Sequence, residues 1–252
     1  MKKKKLSNIM FTIGIMISLA VIGYAGYKLY DINKEHEEVK NTYDDVIKVY
    51  VKSNVQDDQS DGSDQEYDTF EVNWEELKKA NQDIIAWIRI PDTNINYPIV
   101  QGQDNQKYVR HNIYGNYSIG GCIFVDSEIN KPFKNANTII YGHNLSNGTM
   151  FSNIEKYADI EYFLNHRIIY LYLPNETVKT YKIFAFSKIK EDNSEIYNTN
   201  VDNLEDYYRV IKKYNQLNIQ ENLDTSNPIL TLSTCTNHNK SERYIVQAYC
   251  EQ

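Results

Sequence analysis

The feature that most constrains this chain is an uncharged apolar run near its N-terminus. Residues 6–27 carry no charged side chain, and four consecutive lysines, Lys2 to Lys5, precede them. At about 1.5 Å per residue, a helix of this length spans roughly 33 Å, the thickness of a bilayer's hydrocarbon core. We therefore expect a basic cytoplasmic tail at residues 1–5 and a transmembrane signal-anchor helix at residues 6–28. The lysines favour a cytoplasmic N-terminus, so the rest of the chain is expected outside the cell.

A cleaved secretory signal is the alternative interpretation of the same run. Gly23-Tyr24-Ala25 resembles a weak cleavage site. The run is long for the apolar region of a signal peptide, which favours an uncleaved anchor. Under either interpretation, the remainder of the chain is expected to be exported.

Residues 29–69 predict a stalk helix followed by an acidic linker. Apolar and aromatic residues recur in alternating steps of four and three from Ile32 to Tyr50. This stripe indicates a helix that lies on the following domain; it is too short to favour a coiled coil. Residues 53–68 are polar and acidic with almost nothing apolar, which is typical of a flexible linker. The globular domain is then expected at residues 70–252.

Charge and cysteine usage exclude several classes of protein. The net charge of −7 argues against a nucleic-acid-binding chain. The three cysteines are an odd number without a C-x-x-C pair, so neither a disulfide framework nor a zinc ribbon is indicated. Cys122 and Cys250 are expected to be buried strand cysteines. A disulfide between them is the alternative, and it would leave Cys235 unpaired.

The sequence of this domain predicts about eight short strands and three helices. Such a set of elements indicates a mainly β fold with peripheral helices, in which eight strands form a closed or nearly closed barrel. Pro98 suggests that its strand is an edge or bulged strand. Ser152 and Glu155 have capping-box spacing and predict a helix start. Asn203 is expected to cap a helix that runs to about Tyr214. The eight strands are predicted at residues 84–90, 95–100, 122–125, 137–141, 167–173, 178–187, 229–235 and 243–248.

Three chemically active side chains stand at the ends of predicted strands. Cys235 ends the run Thr231-Leu232-Ser233-Thr234-Cys235, His143 follows the run ending at Tyr141, and Arg243 opens the last strand. A thiol, an imidazole and a fixed cation are the groups needed for acyl transfer through a thioester. A zinc site formed by Cys235 and His238 is disfavoured because no further ligand pair has suitable spacing. No metal or cofactor is expected.

These residues resemble the motifs of the sortase family. The segment T-L-S-T-C at residues 231–235 resembles the sortase cysteine signature, and Y-G-H-N at residues 141–144 resembles the segment that holds the sortase histidine. Arg243 falls where the family's arginine follows the cysteine. The segments 84–88 and 95–101 resemble the start of a class B sortase domain. The predicted helix at residues 203–214 is similar to the class B insertion, and the resemblance covers about residues 74–252.

The resemblance implies a function and a set of roles. Sortases are extracellular cysteine transpeptidases of Gram-positive bacteria that cut a C-terminal sorting motif after Thr and join it to an amine of the cell-wall precursor. The resemblance implies Cys235 as nucleophile, His143 as general acid and base, and Arg243 as the group that holds the substrate carbonyl or oxyanion. Asn144, Ser233 and Thr234 are expected to shape the substrate-binding groove.

Two other functions stay open from the sequence. A cell-wall thiol peptidase would use the same residues with water as acceptor. A membrane-tethered binding or scaffold domain would make Cys235 structural. Class B relatives act on N-P-x-T-N-like motifs or on P-x-T-G-like motifs, and the sequence does not choose between them.

Overall fold

The computed structural model describes residues 2–54, 69–217, 219, 224–236 and 239–251, and it divides into two compact units. The first unit comprises residues 1–38 and the second residues 39–252. Helix α1 runs from Lys2 to Tyr50 and therefore contributes to both units. Among the described residues, its part Met10–Tyr50 is the one helix that is long and apolar enough to cross a membrane.

The second unit is built around a closed barrel of eight strands. A separate antiparallel hairpin, β1 (Val51–Asn54) with β2 (Thr69–Val72), precedes it. The barrel order is β10-β8-β7-β3-β4-β5-β6-β9, and β9 also pairs with β10 to close it. The eight-stranded barrel predicted from the sequence is confirmed. Its strands are β3 (Ile84–Arg89), β4 (Asn96–Val100), β5 (Ile123–Val125), β6 (Asn137–Tyr141), β7 (Ile168–Tyr172), β8 (Val178–Lys190), β9 (Ile229–Cys235) and β10 (Glu242–Cys250).

Short helices cover the barrel. Asn73 caps α2 (Trp74–Ala80), Asp159 caps α3 (Ile160–Asn165), and Asn203 caps α4 (Leu204–Tyr214), each by accepting a backbone N–H in the first turn. The cap predicted at Asn203 is thus observed. Tyr207, Tyr208 and Ile211 form the buried face of α4 and pack in a second apolar cluster against β8 and β10.

The C-terminal part of α1 is integral to the barrel unit. Val39, Tyr43 and Val46 are buried in the main core, at 2%, 3% and 0% exposure. The predicted stripe on this helix therefore continues the hydrophobic core of the barrel. The predicted domain boundary at residue 70 stays a prediction, whereas the compact unit starts at Val39.

Two local predictions hold only in part. Of the two alternatives for the strand that carries Pro98, the edge strand is wrong, because β4 pairs with β3 on one side and β5 on the other. The β3–β4 pairing does carry a register shift, between Ile84 and Ala86. Pro98 is tolerated because the β4–β5 pairing begins only at Ile99, so the missing N–H breaks no bond on that side. A helix does begin at Ser152, but it is a 3-10 helix (Ser152–Ala158) with no capping side chain, and the buried Ser152 hydroxyl has no partner among the described residues.

Candidate active site

Cys235 lies at the end of β9, and the segments that carry the two other predicted catalytic residues adjoin β9 on either side. On one side Arg243 is its direct partner in the antiparallel β9–β10 pairing, so the two side chains share one face of the sheet. On the other side Tyr141 of β6 pairs with Ser233, and the pairing continues when the Gly142 N–H donates to the Ser233 carbonyl at 3.1 Å. Continued for two residues, this register predicts that the His143 segment runs beside Cys235. The hydrogen bond from Asn144 Nδ2 to the Cys235 carbonyl, at 3.1 Å, agrees with this.

The His143 segment is held to β9 by side-chain hydrogen bonds. Thr234 Oγ1 donates to the Gly142 carbonyl at 2.7 Å, and Asn144 Nδ2 donates to the Cys235 carbonyl at 3.1 Å. The His143 carbonyl accepts the Phe151 N–H at 2.8 Å. The segment after β6 is therefore fixed relative to the cysteine even though it is not a strand.

The His143 ring is anchored at one nitrogen. Its Nε2 lies 2.8 Å from the Val109 carbonyl oxygen. A carbonyl only accepts hydrogen bonds, so Nε2 carries the proton and Nδ1 of the neutral ring keeps a lone pair. Burial lowers the pKa of His143, and the charge of Arg110 acts in the same direction, while the Val109 hydrogen bond opposes both. The ring is therefore neutral at neutral pH.

The Arg243 guanidinium is bound to groups around the end of β10. It donates to Glu191 Oε2 at 2.6 Å and to the Glu242 carbonyl at 2.9 Å, and also to the Lys240 carbonyl. Its side chain keeps 22% of its surface exposed. The neighbouring Glu242 carboxylate instead pairs with Lys188 at 2.8 Å. Arg243 is thus oriented by protein groups but accessible to a ligand.

A groove of about 590 Å³ opens beside Arg243. Its aromatic wall consists of three rings: Phe124 and Tyr141 lie 5.3 Å apart between centroids, and Tyr141 stacks on Tyr197 at 6.2 Å. Polar residues from the loop after β8 complete it. The full lining is Asn105, Phe124, Tyr141, Glu191, Asp192, Asn193, Ser194, Tyr197 and Arg243.

Ser233 and Thr234 are buried, at 2% exposure each. Ser233 Oγ shares a hydrogen bond of 2.8 Å with the Tyr197 hydroxyl, and Thr234 Oγ1 donates its hydrogen bond to the Gly142 carbonyl. Asn144 is half-buried, and its amide also lies 3.4 Å from Glu155 Oε2. The three residues predicted to bind substrate therefore hold the strand end and its neighbours in place.

Sequence reasoning missed the contributions of Tyr197, Glu191 and the Val109 carbonyl. Tyr197 and Glu191 reach the site from the segment after β8, and Val109 ends a 3-10 helix (Lys107–Val109) distant in the chain from His143. Burial raises the pKa of Tyr197 to about 12, with the Ser233 hydrogen bond opposing, so its hydroxyl stays protonated. No spacing in the sequence signals these non-local contacts.

The chain has two further cysteines, Cys122 and Cys250. All three cysteines are free in the described structure, with Cys122 buried and Cys250 half-buried. Burial raises the pKa of Cys122 to about 12, which keeps it a thiol. Within the described ranges, no three His, Cys, Asp or Glu side chains are grouped so that they could hold a metal ion. His238, the partner in the disfavoured zinc site, lies outside those ranges.

Comparison with known proteins identifies the family. A sortase domain model matches residues 88–251. Sortase B of Listeria monocytogenes is 29% identical over 245 residues, which cover 92% of this chain and 93% of the relative. Sortase B of Staphylococcus aureus is 32% identical over 166 residues, which cover 64% of this chain and 67% of the relative.

Solved structures agree with that comparison. Clostridium perfringens sortase B is 33% identical with a TM-score of 0.66, covering 71% of this chain and 99% of that chain. A Staphylococcus aureus sortase B–substrate complex is 28% identical with a TM-score of 0.65, covering 71% and 85%. A sortase B complexed with triglycine has the same identity and TM-score, covering 71% and 86%. The chain therefore belongs to the sortase family, in class B, and is a cysteine transpeptidase.

Proposed function

We propose that Cys235, His143 and Arg243 carry out the transpeptidation, with Cys235 as the nucleophile. The observation that carries this proposal is the position of Cys235, with Arg243 as its direct cross-strand partner and the His143 segment bonded to the other side of β9. The groove next to Arg243 supplies the surface along which a peptide can lie.

In the proposed reaction, the Cys235 thiol first gives its proton to Nδ1 of the neutral His143 ring. The thiolate attacks the carbonyl of Thr in the sorting motif, and the imidazolium then protonates the departing amine as the peptide bond breaks. The resulting thioester retains the energy of the peptide bond. An incoming amine attacks the thioester, His143 takes up its proton, and the cysteine thiol is regenerated.

Arg243 stabilises the oxygen of the attacked carbonyl, or holds the substrate backbone next to it. Its charge does not titrate, and its planar head can donate two parallel hydrogen bonds. The bond to Glu191 competes with this role. Substrate must therefore displace the Glu191 carboxylate or use the guanidinium N–H groups that it leaves open.

Asn144, Ser233 and Thr234 act in this scheme mainly by positioning. Asn144 and Thr234 tie the His143 segment to β9, and Ser233 holds Tyr197 at the groove. Their hydrogen bonds support roles as positioning residues, although the sequence alone suggested contact with substrate.

We infer a surface-protein sorting motif as acyl donor and an amine of the peptidoglycan precursor as acceptor. The related sortase B structures bound to a substrate and to triglycine support a peptide and an amine as partners. The motif is expected to be N-P-x-T-N-like or P-x-T-G-like. The N-terminal lysines and α1 support a cytoplasmic N-terminus and an extracellular catalytic unit anchored in the cell membrane.

The test uses the full chain in detergent micelles with quenched fluorescent peptides of both motif types, with and without triglycine. We expect cleavage after Thr in one motif class, ligated product when triglycine is present, and loss of both in Cys235→Ala. Cys250→Ala, a half-buried cysteine outside the site, is the matched control and should keep full activity.

Other outcomes decide against parts of the proposal. Cleavage without any ligated product would favour a thiol peptidase that uses water. Cleavage that persists in Cys235→Ala would contradict Cys235 as nucleophile. An unreactive Cys235 thiol together with no cleavage would favour a scaffold role.

A further inference from the structure

Tyr43 connects the C-terminal part of α1 to the barrel next to the catalytic histidine. Its side chain is buried at 3% exposure, and its hydroxyl donates to the Gly121 carbonyl. Its ring contacts Tyr97 edge-on at 5.2 Å between centroids. Burial raises the pKa of Tyr43, so the hydroxyl remains a donor. The helix thus makes a specific polar contact inside the core.

Gly121, which accepts the hydrogen bond from Tyr43, packs closely against the backbone at Val109. Its φ of +53° lies in the left-handed region, and a Cβ there would come within 2.3 Å of the Tyr108 carbonyl oxygen and 2.6 Å of the Val109 carbonyl oxygen. The next residue, Cys122, donates its N–H to the Tyr108 carbonyl at 2.9 Å. The two backbone segments are therefore closely packed, so the position of Gly121 bears directly on that of the Val109 carbonyl.

The Val109 carbonyl is the group that anchors His143. It accepts the hydrogen bond from Nε2 at 2.8 Å and so determines which ring nitrogen carries the proton. In the proposed reaction, Nδ1 must keep its lone pair to exchange protons with Cys235 and with the substrate amines. A shift of this carbonyl would change both the tautomer and the direction of the ring.

We propose that Tyr43 is a positioning residue for His143, acting through the Gly121 and Val109 backbone. The proposal rests on the proposed role of His143 as proton donor and acceptor. It gives the juxtamembrane helix a part in catalysis beyond its contribution to the core: the helix determines the tautomer of the catalytic ring.

The experiment measures the His143 nitrogen signals and the peptide kinetics together. Full-length chain labelled with ¹⁵N-histidine is prepared in detergent micelles as wild type, Tyr43→Phe and Tyr208→Phe, and a His143→Gln sample assigns the ring among the five histidines. Tyr208→Phe is the matched control, because its buried hydroxyl also donates to a backbone carbonyl, that of Asn227 at 3.2 Å, but in the second apolar cluster.

We expect wild type to show a protonated Nε2 and an unprotonated Nδ1 at neutral pH. Tyr43→Phe should show increased protonation of Nδ1 and a kcat about tenfold lower, with KM changed by less than about twofold, because misplaced reacting groups slow the chemical step more than they weaken binding. Gly121→Ala, if it folds, should show a larger change of the same kind. Tyr208→Phe should match wild type in both measurements.

Unchanged His143 signals in Tyr43→Phe would overturn the proposal, as would the same changes in Tyr208→Phe, which would mark a general loss of stability. The nitrogen signals of His143 can be measured without any turnover of peptide substrate. A wild-type chain with the expected tautomer but no cleavage of any peptide would therefore count against the proposed function and not against the positioning of His143 by Tyr43.

Discussion

The imidazole of His143 differs from that of a surface histidine in two ways that bear on catalysis. It is desolvated, which lowers its pKa, and its Nε2 is committed to the Val109 carbonyl. Both effects favour a neutral ring with a free lone pair on Nδ1. The imidazolium that protonates the departing amine must therefore be formed during the reaction.

The lowered pKa of His143 predicts an acid-sensitive contribution to folding stability. The ordinary histidine pKa is about 6.5. Above that pH both folded and unfolded chains hold the ring neutral. As the pH falls below it, the unfolded chain binds the proton first, so stability is lost down to the lower folded pKa. We expect His143→Gln to lose less thermal stability than wild type between neutral and mildly acidic pH.

Thermal unfolding followed by circular dichroism measures this difference. His166→Gln is the comparison variant, since that half-buried ring stacks on Tyr162 outside the site. An identical acid loss in wild type and His143→Gln would contradict a buried neutral His143.

Arg243 is predicted to be irreplaceable even by lysine. A lysine keeps the charge but loses the planar set of donors that reaches Glu191 and the loop carbonyls. We expect Arg243→Lys to lower kcat/KM for the cleaved peptide by roughly 100-fold, the effect of removing an oxyanion donor. Arg209→Lys, an exposed arginine on α4 paired with Glu205, should leave the rate unchanged. Near-normal kinetics in Arg243→Lys would show that charge alone is sufficient.

At the scale of elements, the site exists because β9 lies between β6 and β10. The β-branched runs of these strands and the order of His143, Cys235 and Arg243 were readable from the sequence, because strand periodicity and short motifs are local signals. A closed or nearly closed barrel was predicted from the number of short strands, whereas the order that makes β6 and β10 the neighbours of β9 was not. Local propensity therefore predicted most of the barrel.

What the sequence did not reveal depends on contacts between distant segments. Ser152 has the spacing of a cap, yet it is the first residue of a 3-10 helix, and its buried hydroxyl makes no capping hydrogen bond. The β1–β2 hairpin was also not predicted from the sequence. Its two strands flank the stretch predicted to be a linker, and their short sequences give little indication of a strand. Tyr197 and the Val109 carbonyl reach the site across 36 and 34 residues of chain, where no periodicity links them to their partners.

Gly142 is predicted to be essential for the element that holds His143. A Cβ at this position would lie 2.5 Å from Ile123 Cδ1 and 2.7 Å from the Phe151 ring, both buried. We expect Gly142→Ala to cost about 1–3 kcal/mol of unfolding free energy, the typical effect of overpacking, and to lower kcat by displacing the histidine. Chemical denaturation and peptide cleavage measure the two effects. Wild-type values for both would contradict the tight packing around Gly142.

At the scale of the whole molecule, the catalytic unit includes the end of the helix that precedes it. Val39, Tyr43 and Val46 fill core positions, so residues 39–54 are more than a spacer between membrane and barrel. The sequence stripe indicated a helix lying on the domain, but its spacing gave no measure of how deeply these side chains would be buried. That depth is a tertiary property.

A chain that begins at Val39 is therefore predicted to be more stable than one that begins at Thr69. Removal of residues 39–68 leaves the core surface beneath three buried side chains exposed to water, and burying one side chain of this size contributes about 1.5–3 kcal/mol. Thermal midpoints of the two purified chains measure the difference. Equal midpoints would contradict an integral role for this part of α1.

The most direct test of the central claim is the intact mass of the protein during turnover. Full-length chain is mixed with a cleavable sorting-motif peptide, quenched in acid and analysed by mass spectrometry, followed by peptide mapping. The proposed mechanism predicts an adduct equal to the peptide fragment ending at Thr, attached to Cys235 and removed when triglycine is added before quenching. Cleavage that proceeds without an adduct on Cys235, or with the adduct on Cys122 or Cys250, would contradict it.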